Sequence, residues 1–371
     1  MLKNIVTFFD VVIFLALTFV GDYNLTGVPA FYIVWFMMVL YRILTGLFFK
    51  SNELFFQSFL ILLLAPVITF SIFKPEYYTN FLFFIILYFN AFPILERIIS
   101  KSGYNWAWIL IILFSPIATL SIFNGDGRLI FIFGPNILYR IFGVMFLLGL
   151  ILFLSKLAED RSVLLLVISY FSYVISMLST GSRGGMLVLI VTTLFMVVSL
   201  RHNKLIINSV RFMFLSIFIF CFYYWDDIAE LFWRLVYFDQ SNNSEAGRIM
   251  FYNNALKFFD DNNPMNILFG LGDNNHVFSF YPHNIILETM VNSGVYLLCL
   301  LVFSLFIFIV FMNNSGRYKH TIVVIPILMG SMLSGGALDN YVVFTFLFYN
   351  VYILLKNNER TKNKEQRIKN K

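Results

Sequence analysis

Charge is what this sequence most lacks. Only 12% of its 371 residues are charged, against about 25% in an average soluble chain, and that excludes a soluble globular enzyme. Disorder is excluded as well, because it needs low hydrophobicity and here 60% of residues are hydrophobic. Cysteine is almost missing. Cys221 and Cys299 both sit inside apolar runs and read as small buried hydrophobes, so neither a disulfide framework nor a metal site is expected. No compact His/Asp/Glu spacing suits a divalent cation, and no internal repeat is present. The short alternating strands of an outer-membrane barrel are absent too.

What the chain does have is phenylalanine, 47 residues of it, and a mean hydropathy of +0.81. Apolar runs of helix length recur from end to end. The fold class expected is therefore all-α: a polytopic integral membrane protein forming a single transmembrane domain over residues 1–371. The spans fall at about 5–21, 29–49, 54–73, 80–95, 105–123, 137–155, 162–179, 184–200, 205–225, 284–312, 320–336 and 341–355. The first run carries Asp10 and no small-residue cleavage site follows it, so it reads as a retained helix.

Twelve spans put both termini on one side, and the basic tail at 356–371 makes that side the cytoplasm. Of the 26 basic residues, 17 then fall in cytoplasmic segments, seven of them in the tail, and seven fall outside. This is the bias that the positive-inside rule requires, and both termini are expected in the cytoplasm. The tail and the net charge of +6 point to anionic membrane lipid as partner, not nucleic acid. Asp10 and Arg42 are the main charges placed inside spans, whereas a proton-coupled transporter usually carries more at mid-depth. The one sizeable outer segment is a loop at about 226–283, with two short amphipathic helices expected to lie on the membrane surface. The first is placed at about 226–239. The second follows Ser244, with Pro264 beyond its end.

The seven outer basic residues oppose the orientation signal, and five are arginines, the residue suited to forked contacts with phosphate. Three of them, Arg128, Arg140 and Arg183, fall in two of three outer corners that could carry chemistry, and a histidine attends the third. The first is Asn124-Gly-Asp-Gly-Arg128 with Phe133-Gly-Pro-Asn136 and Tyr139-Arg140, which otherwise reads as an ordinary loop with a solvated Arg128. The second is Ser179-Thr-Gly-Ser-Arg183-Gly-Gly185. Here Ser182 is placed as an N-cap, and the glycines would let a ligand approach the backbone. Arg183 faces the positive end of its own helix, an unfavourable placement that a bound anion would reverse. The third is Tyr281-Pro-His283-Asn284 with Glu288 one turn further in, where an imidazole can exchange a proton near neutral pH. His202, His276 and His320 read as packed or solvated. Spans six, eight and ten all start on the outer side. With Arg248 from the long loop, their positive ends could enclose a diphosphate without any metal.

At these residues the chain resembles the O-antigen polymerase and ligase family of bacterial membrane glycosyltransferases. Thr180-Gly-Ser-Arg183-Gly-Gly at the head of an apolar helix is similar to that family's Ser/Arg/Gly signature. Phe133-Gly-Pro-Asn136 after Arg128 is similar to its Arg…Pro-Asn loop. His283-Asn284, nine residues and Gly294 resemble the His-Asn element that closes the large periplasmic loop, with Leu297 and Tyr296 where the family often carries Gly, Thr or Tyr. The resemblance implies a GT-C-like fold and a metal-independent, cofactor-free transfer of a glycan from undecaprenyl diphosphate at the periplasmic face. It implies that Arg183 and Arg128 hold the diphosphate, with Arg140, Arg248, Asn136, Ser182, Asn284 and Glu288 lining the substrate, and that His283 is the base. The partners implied are the lipid-linked oligosaccharide and a chain-length regulator and flippase of the same pathway. A short, loop-poor chain favours the polymerase over the ligase, which would use lipid A core as acceptor. A lipid-linked oligosaccharide flippase and an assembly scaffold are the readings from other classes.

Overall fold

The computed structural model describes residues 2–16, 24–25, 28–47, 93–98, 104–123, 135–156, 161–223, 263–270, 284–315 and 321–332, with isolated positions at 58, 62, 225, 252–254, 257, 345 and 349. Apolar runs became helices, because in a helix every interior backbone group finds its partner within the segment. The order is α1 (Leu2–Ala16), a two-residue hairpin of β1 (Asn24–Leu25) and β2 (Val28–Pro29), α2 (Ala30–Leu44), α3 (Tyr104–Phe123), α4 (Pro135–Lys156), α5 (Arg161–Ser179), α6 (Arg183–Ser199), α7 (Lys204–Tyr223), α8 (Pro264–Phe269), α9 (Ile285–Ser315) and α10 (Thr321–Ser331). The chain is thus mostly helical. The bounds of α3 to α7 lie within two residues of those expected from the apolar runs. Expected spans three and twelve, most of span four and most of the long loop fall outside the described residues.

Among the described residues no helix is long and apolar enough to cross a membrane. Outward faces are nonetheless apolar. On α7, Phe212, Leu215, Phe218 and Phe222 are each more than half exposed, at spacings that place them on one side of the helix.

The core lies between α3, α4, α5, α6 and α10. Trp108 of α3 is fully buried, donates from its indole nitrogen to the Phe146 carbonyl at 3.3 Å and packs against the Phe146 and Phe153 rings. Phe146 in turn stacks on Tyr173 of α5 with centroids 4.5 Å apart. Two hydroxyl pairs tie α5 to α6: Tyr170 with Thr193 at 2.7 Å, and Tyr173 with Thr192 at 3.4 Å. These contacts fix the height of α6, and with it Arg183.

One expectation, the burial of Cys299, changes, and the charge expected inside a span at Asp10 gains partners. Its carboxylate is fully buried and receives both the Nε of Arg97, at 2.7 Å, and its terminal nitrogen, while the Tyr41 hydroxyl donates to it at 2.7 Å. Burial of a carboxylate is tolerated only with such partners. Cys299 is exposed, because it lies on the same outward stripe of α9 as Val302, Phe303 and Phe306. The described positions 252–254 and 257 are helical, where the second loop helix is expected, and Pro264 opens a further helix: Asn263 caps α8, accepting from the Asn266 amide at 2.9 Å, and Pro264 occupies the first turn, where its missing N–H costs nothing.

Candidate functional site

The α5–α6 corner is built by a three-residue turn. Thr180 donates to the Met177 carbonyl at 2.7 Å and accepts from the Ser182 amide at 3.3 Å. Gly181 adopts φ 57°, a left-handed conformation that side chains disfavour, and the chain reverses. Ser182 caps α6 as expected, with its backbone extended and its hydroxyl accepting from the Gly185 amide at 3.5 Å. Arg183 is the first helical residue and is half-buried. A guanidinium there opposes the helix dipole by a few tenths of a kcal/mol.

The glycines of this corner serve packing. A Cβ on Gly185 would stand 3.0 Å from the Tyr139 Cβ and 3.1 Å from the Thr180 hydroxyl. The space that glycine leaves at 185 is therefore filled from inside the protein by the start of α4. Tyr139 is fully buried and Arg140 nearly so, the guanidinium lying 5.7 Å from the centre of the Tyr139 ring. Asn136 falls in the first turn of the same helix.

The end of α10 joins the corners. A Cβ on Gly330 would meet Val188 of α6 at 2.5 Å, and the Gly184 carbonyl and the Tyr139 ring at 3.1 Å each. Two residues on, the Met332 carbonyl accepts from the Asn284 side-chain amide at 3.2 Å. Asn284 also caps α9, its side-chain oxygen accepting from the amides of Ile286 and Leu287 at 3.0 and 3.2 Å. Glu288 is buried one turn below, its amide bonded to the Asn284 carbonyl at 2.9 Å.

The starts of α4, α6 and α9 thus meet around the finish of α10. Three positive helix ends are brought to one corner, with Arg140 and Arg183 on two of these helices and Glu288 on the third. Such an arrangement suits an anion carrying more than one charge. Of the residues expected to form the site, the structure brings together Ser182, Arg183, Arg140, Asn284 and Glu288. Arg128, Arg248 and His283 lie outside the described residues, and Asn136 is placed by its backbone alone. Sequence reasoning missed Gly330 and the Met332 carbonyl, whose signal was only a glycine and a serine near the end of an apolar run. Among the described residues no three His, Cys, Asp or Glu come together.

Residues 166–302 match the family model described as O-antigen ligase. The matched stretch is a little over a third of the chain, and it supports the likeness to the O-antigen ligase and polymerase family there. The match runs from α5 through Gly294 into the second half of α9. It includes Ser182, Arg183, Asn284 and Glu288, and leaves Arg140 just outside. No curated protein and no solved structure matches the chain.

Proposed function

We propose that the chain is a polytopic inner-membrane glycosyltransferase of the polymerase type. It moves the growing glycan from undecaprenyl diphosphate to a new lipid-linked repeat unit at the periplasmic face. The observation that carries this reading is the meeting of three helix N-termini with Arg140 and Arg183, inside or beside a stretch that matches the O-antigen ligase family. Twelve crossings with both termini cytoplasmic accord with it. So does the apolar outward face of α7, which in water would be an interaction or aggregation patch of unusual size.

The chemistry is a single displacement. The acceptor hydroxyl attacks the anomeric carbon from the face opposite the diphosphate and gives its proton to His283. The bond from the anomeric carbon to the phosphate oxygen breaks, and undecaprenyl diphosphate leaves with its developing charge held by Arg183, Arg140 and Arg128. Donors placed at the position where charge develops stabilise the transition state more than the ground state. Ser182 and the capped start of α6 supply fixed amide dipoles. Asn284, Asn136, Glu288 and Arg248 line the glycan. A chain-length regulator and a flippase of the same pathway are the protein partners of this reading.

The family description favours one alternative, transfer of the glycan to lipid A core. Purified protein given only lipid-linked repeats separates the two. Under the polymerase reading a ladder of longer lipid-linked products appears; no growth until lipid A core is added would overturn it in favour of the ligase.

A further inference from the structure

Gly294 is the glycine that follows His283-Asn284 at a fixed interval, and it breaks α9. Its φ is 76° and its ψ 175° inside an otherwise continuous helix. A Cβ there would run into the Leu268 carbonyl and come within 2.5 Å of the Gly270 amide nitrogen. The backbone of α8 therefore sits directly on the break.

Helix α8 is well suited to be a wedge. Asn263 closes one end, and the Gly270 amide donates to the Asn266 carbonyl at 2.7 Å at the other. Its side chains touch α9 on both sides of Gly294. Ile267 packs against buried Met290 and Val291, in a small apolar cluster that Leu287 and Leu298 complete. The Phe269 ring meets Tyr296, with centroids 6.2 Å apart. This cluster is separate from the main core, which the segment reaches through Ile285, so the first nine residues of α9 are held by Ile285, by the Asn284–Met332 bond and by α8.

We propose that α8 is a latch seated on the break at Gly294, and that Gly294 is a positioning residue. Together they set the angle of the segment carrying Asn284 and Glu288 against the end of α10. A side chain at 294 unseats α8 and turns that segment out of line with Arg183. The inference deepens the transferase reading for its effect on turnover, but the geometry it asserts is independent of any activity.

Its test uses the full-length protein in lipid nanodiscs, with Cys221→Ser and Cys299→Ser and spin labels on Ile286→Cys and Met329→Cys. Both positions are exposed, one on each helix. The expected result is one narrow label-to-label distance in this background, shifted or broadened by several ångströms on adding Gly294→Ala. Ile267→Ala, which leaves the backbone alone, shifts it less in the same direction. Turnover of lipid-linked repeats falls with the shift, on the order of a hundredfold for Gly294→Ala, while the KM for the acceptor holds. An unchanged distance in both variants overturns the latch, and a shifted distance with unchanged turnover overturns the positioning role. Should the parent protein show no transfer at all, a shifted distance keeps the latch and removes the transferase reading instead.

Discussion

Among the described residues, a group around Asp10 and a group at the starts of α4, α6 and α9 draw charge into this apolar chain, and they are held in opposite ways. Around Asp10 the charges are matched: one carboxylate takes a two-pronged contact from Arg97 and a hydroxyl from Tyr41, and the Arg97 guanidinium lies 5.4 Å from the centre of the Tyr41 ring. At the starts of α4, α6 and α9, two arginines and one glutamate lie on three helix ends that meet at the end of α10, where the Met332 carbonyl accepts from Asn284. The first group joins helices far apart in the chain and asks for no outside ligand. The second sets two arginines on helix starts, where a backbone dipole adds positive potential, and under the transferase reading it takes an anionic substrate. Burial alone therefore does not distinguish glue from machinery; the balance of charge does. Substitutions in the first group should move stability and spare turnover, and those in the second should do the reverse.

The largest effect expected is on the first group. Arg97→Ala leaves the Asp10 carboxylate buried without its counter-charge, which costs about 3–5 kcal/mol. Thermal unfolding of the purified protein should show it, while the turnover per folded molecule stays at the parent value. Replacing Asp10 and Arg97 together with Leu and Met restores much of the stability, because an apolar pair of similar volume is often no worse than a buried ion pair. A turnover loss that survives this double replacement would give the Asp10 group a share in the chemistry and dissolve the contrast.

Next comes Arg183. Removing one donor from a developing charge costs about 10²–10³ in turnover, or roughly 3–4 kcal/mol of barrier. Arg183→Ala should lose that much in single-turnover assays and unfold no earlier than the parent, since an arginine at the first position opposes its own helix dipole. Arg183→Lys should recover only a small part, because lysine lacks the planar fork. Full activity in the lysine variant would remove the two-pronged phosphate contact.

Gly185→Ala tests whether the glycines of this corner serve packing. The added methyl meets Tyr139 and Thr180 at about 3 Å, and overpacking of this kind costs about 1–3 kcal/mol. Unfolding should come earlier, with turnover reduced only as far as α6 shifts against α4. A drop in donor binding with unchanged unfolding would return Gly185 to the ligand.

How much of this could be read from the residues themselves differs between the two groups. The helices α3 to α7 were legible because each apolar run is bounded by charged or turn-forming residues, and Ser182 was legible as a cap from its place before Arg183. The three outer corners could be grouped because their helices start on one side. The pairing of Asp10 with Arg97 was not legible, since 87 residues separate them and neither belongs to a periodic pattern. Helix α8 escaped notice because six residues are too few for a periodic signal, although Asn263-Pro264 carried its start. The break at Gly294 was hidden by the apolar continuity of α9. The purpose of Gly185 needed the neighbour that fills its space, and a sequence does not name neighbours.

The smallest effect expected belongs to Ser182, and it probes where the two groups overlap. As a cap its hydroxyl accepts from the Gly185 amide at 3.5 Å, a long bond, so Ser182→Ala should cost stability at the low end of the usual 0.5–2 kcal/mol. Ser182→Gly should cost only a few tenths, since glycine is itself an acceptable cap. If Ser182 is a cap alone, unfolding should order the three proteins serine, glycine, alanine, and turnover should follow that order weakly. If its hydroxyl also donates to the substrate, both variants lose it equally, and turnover falls by a similar factor in each whatever their stability. Unfolding and turnover measured side by side on the two variants thus decide whether this corner holds one kind of polar group or two.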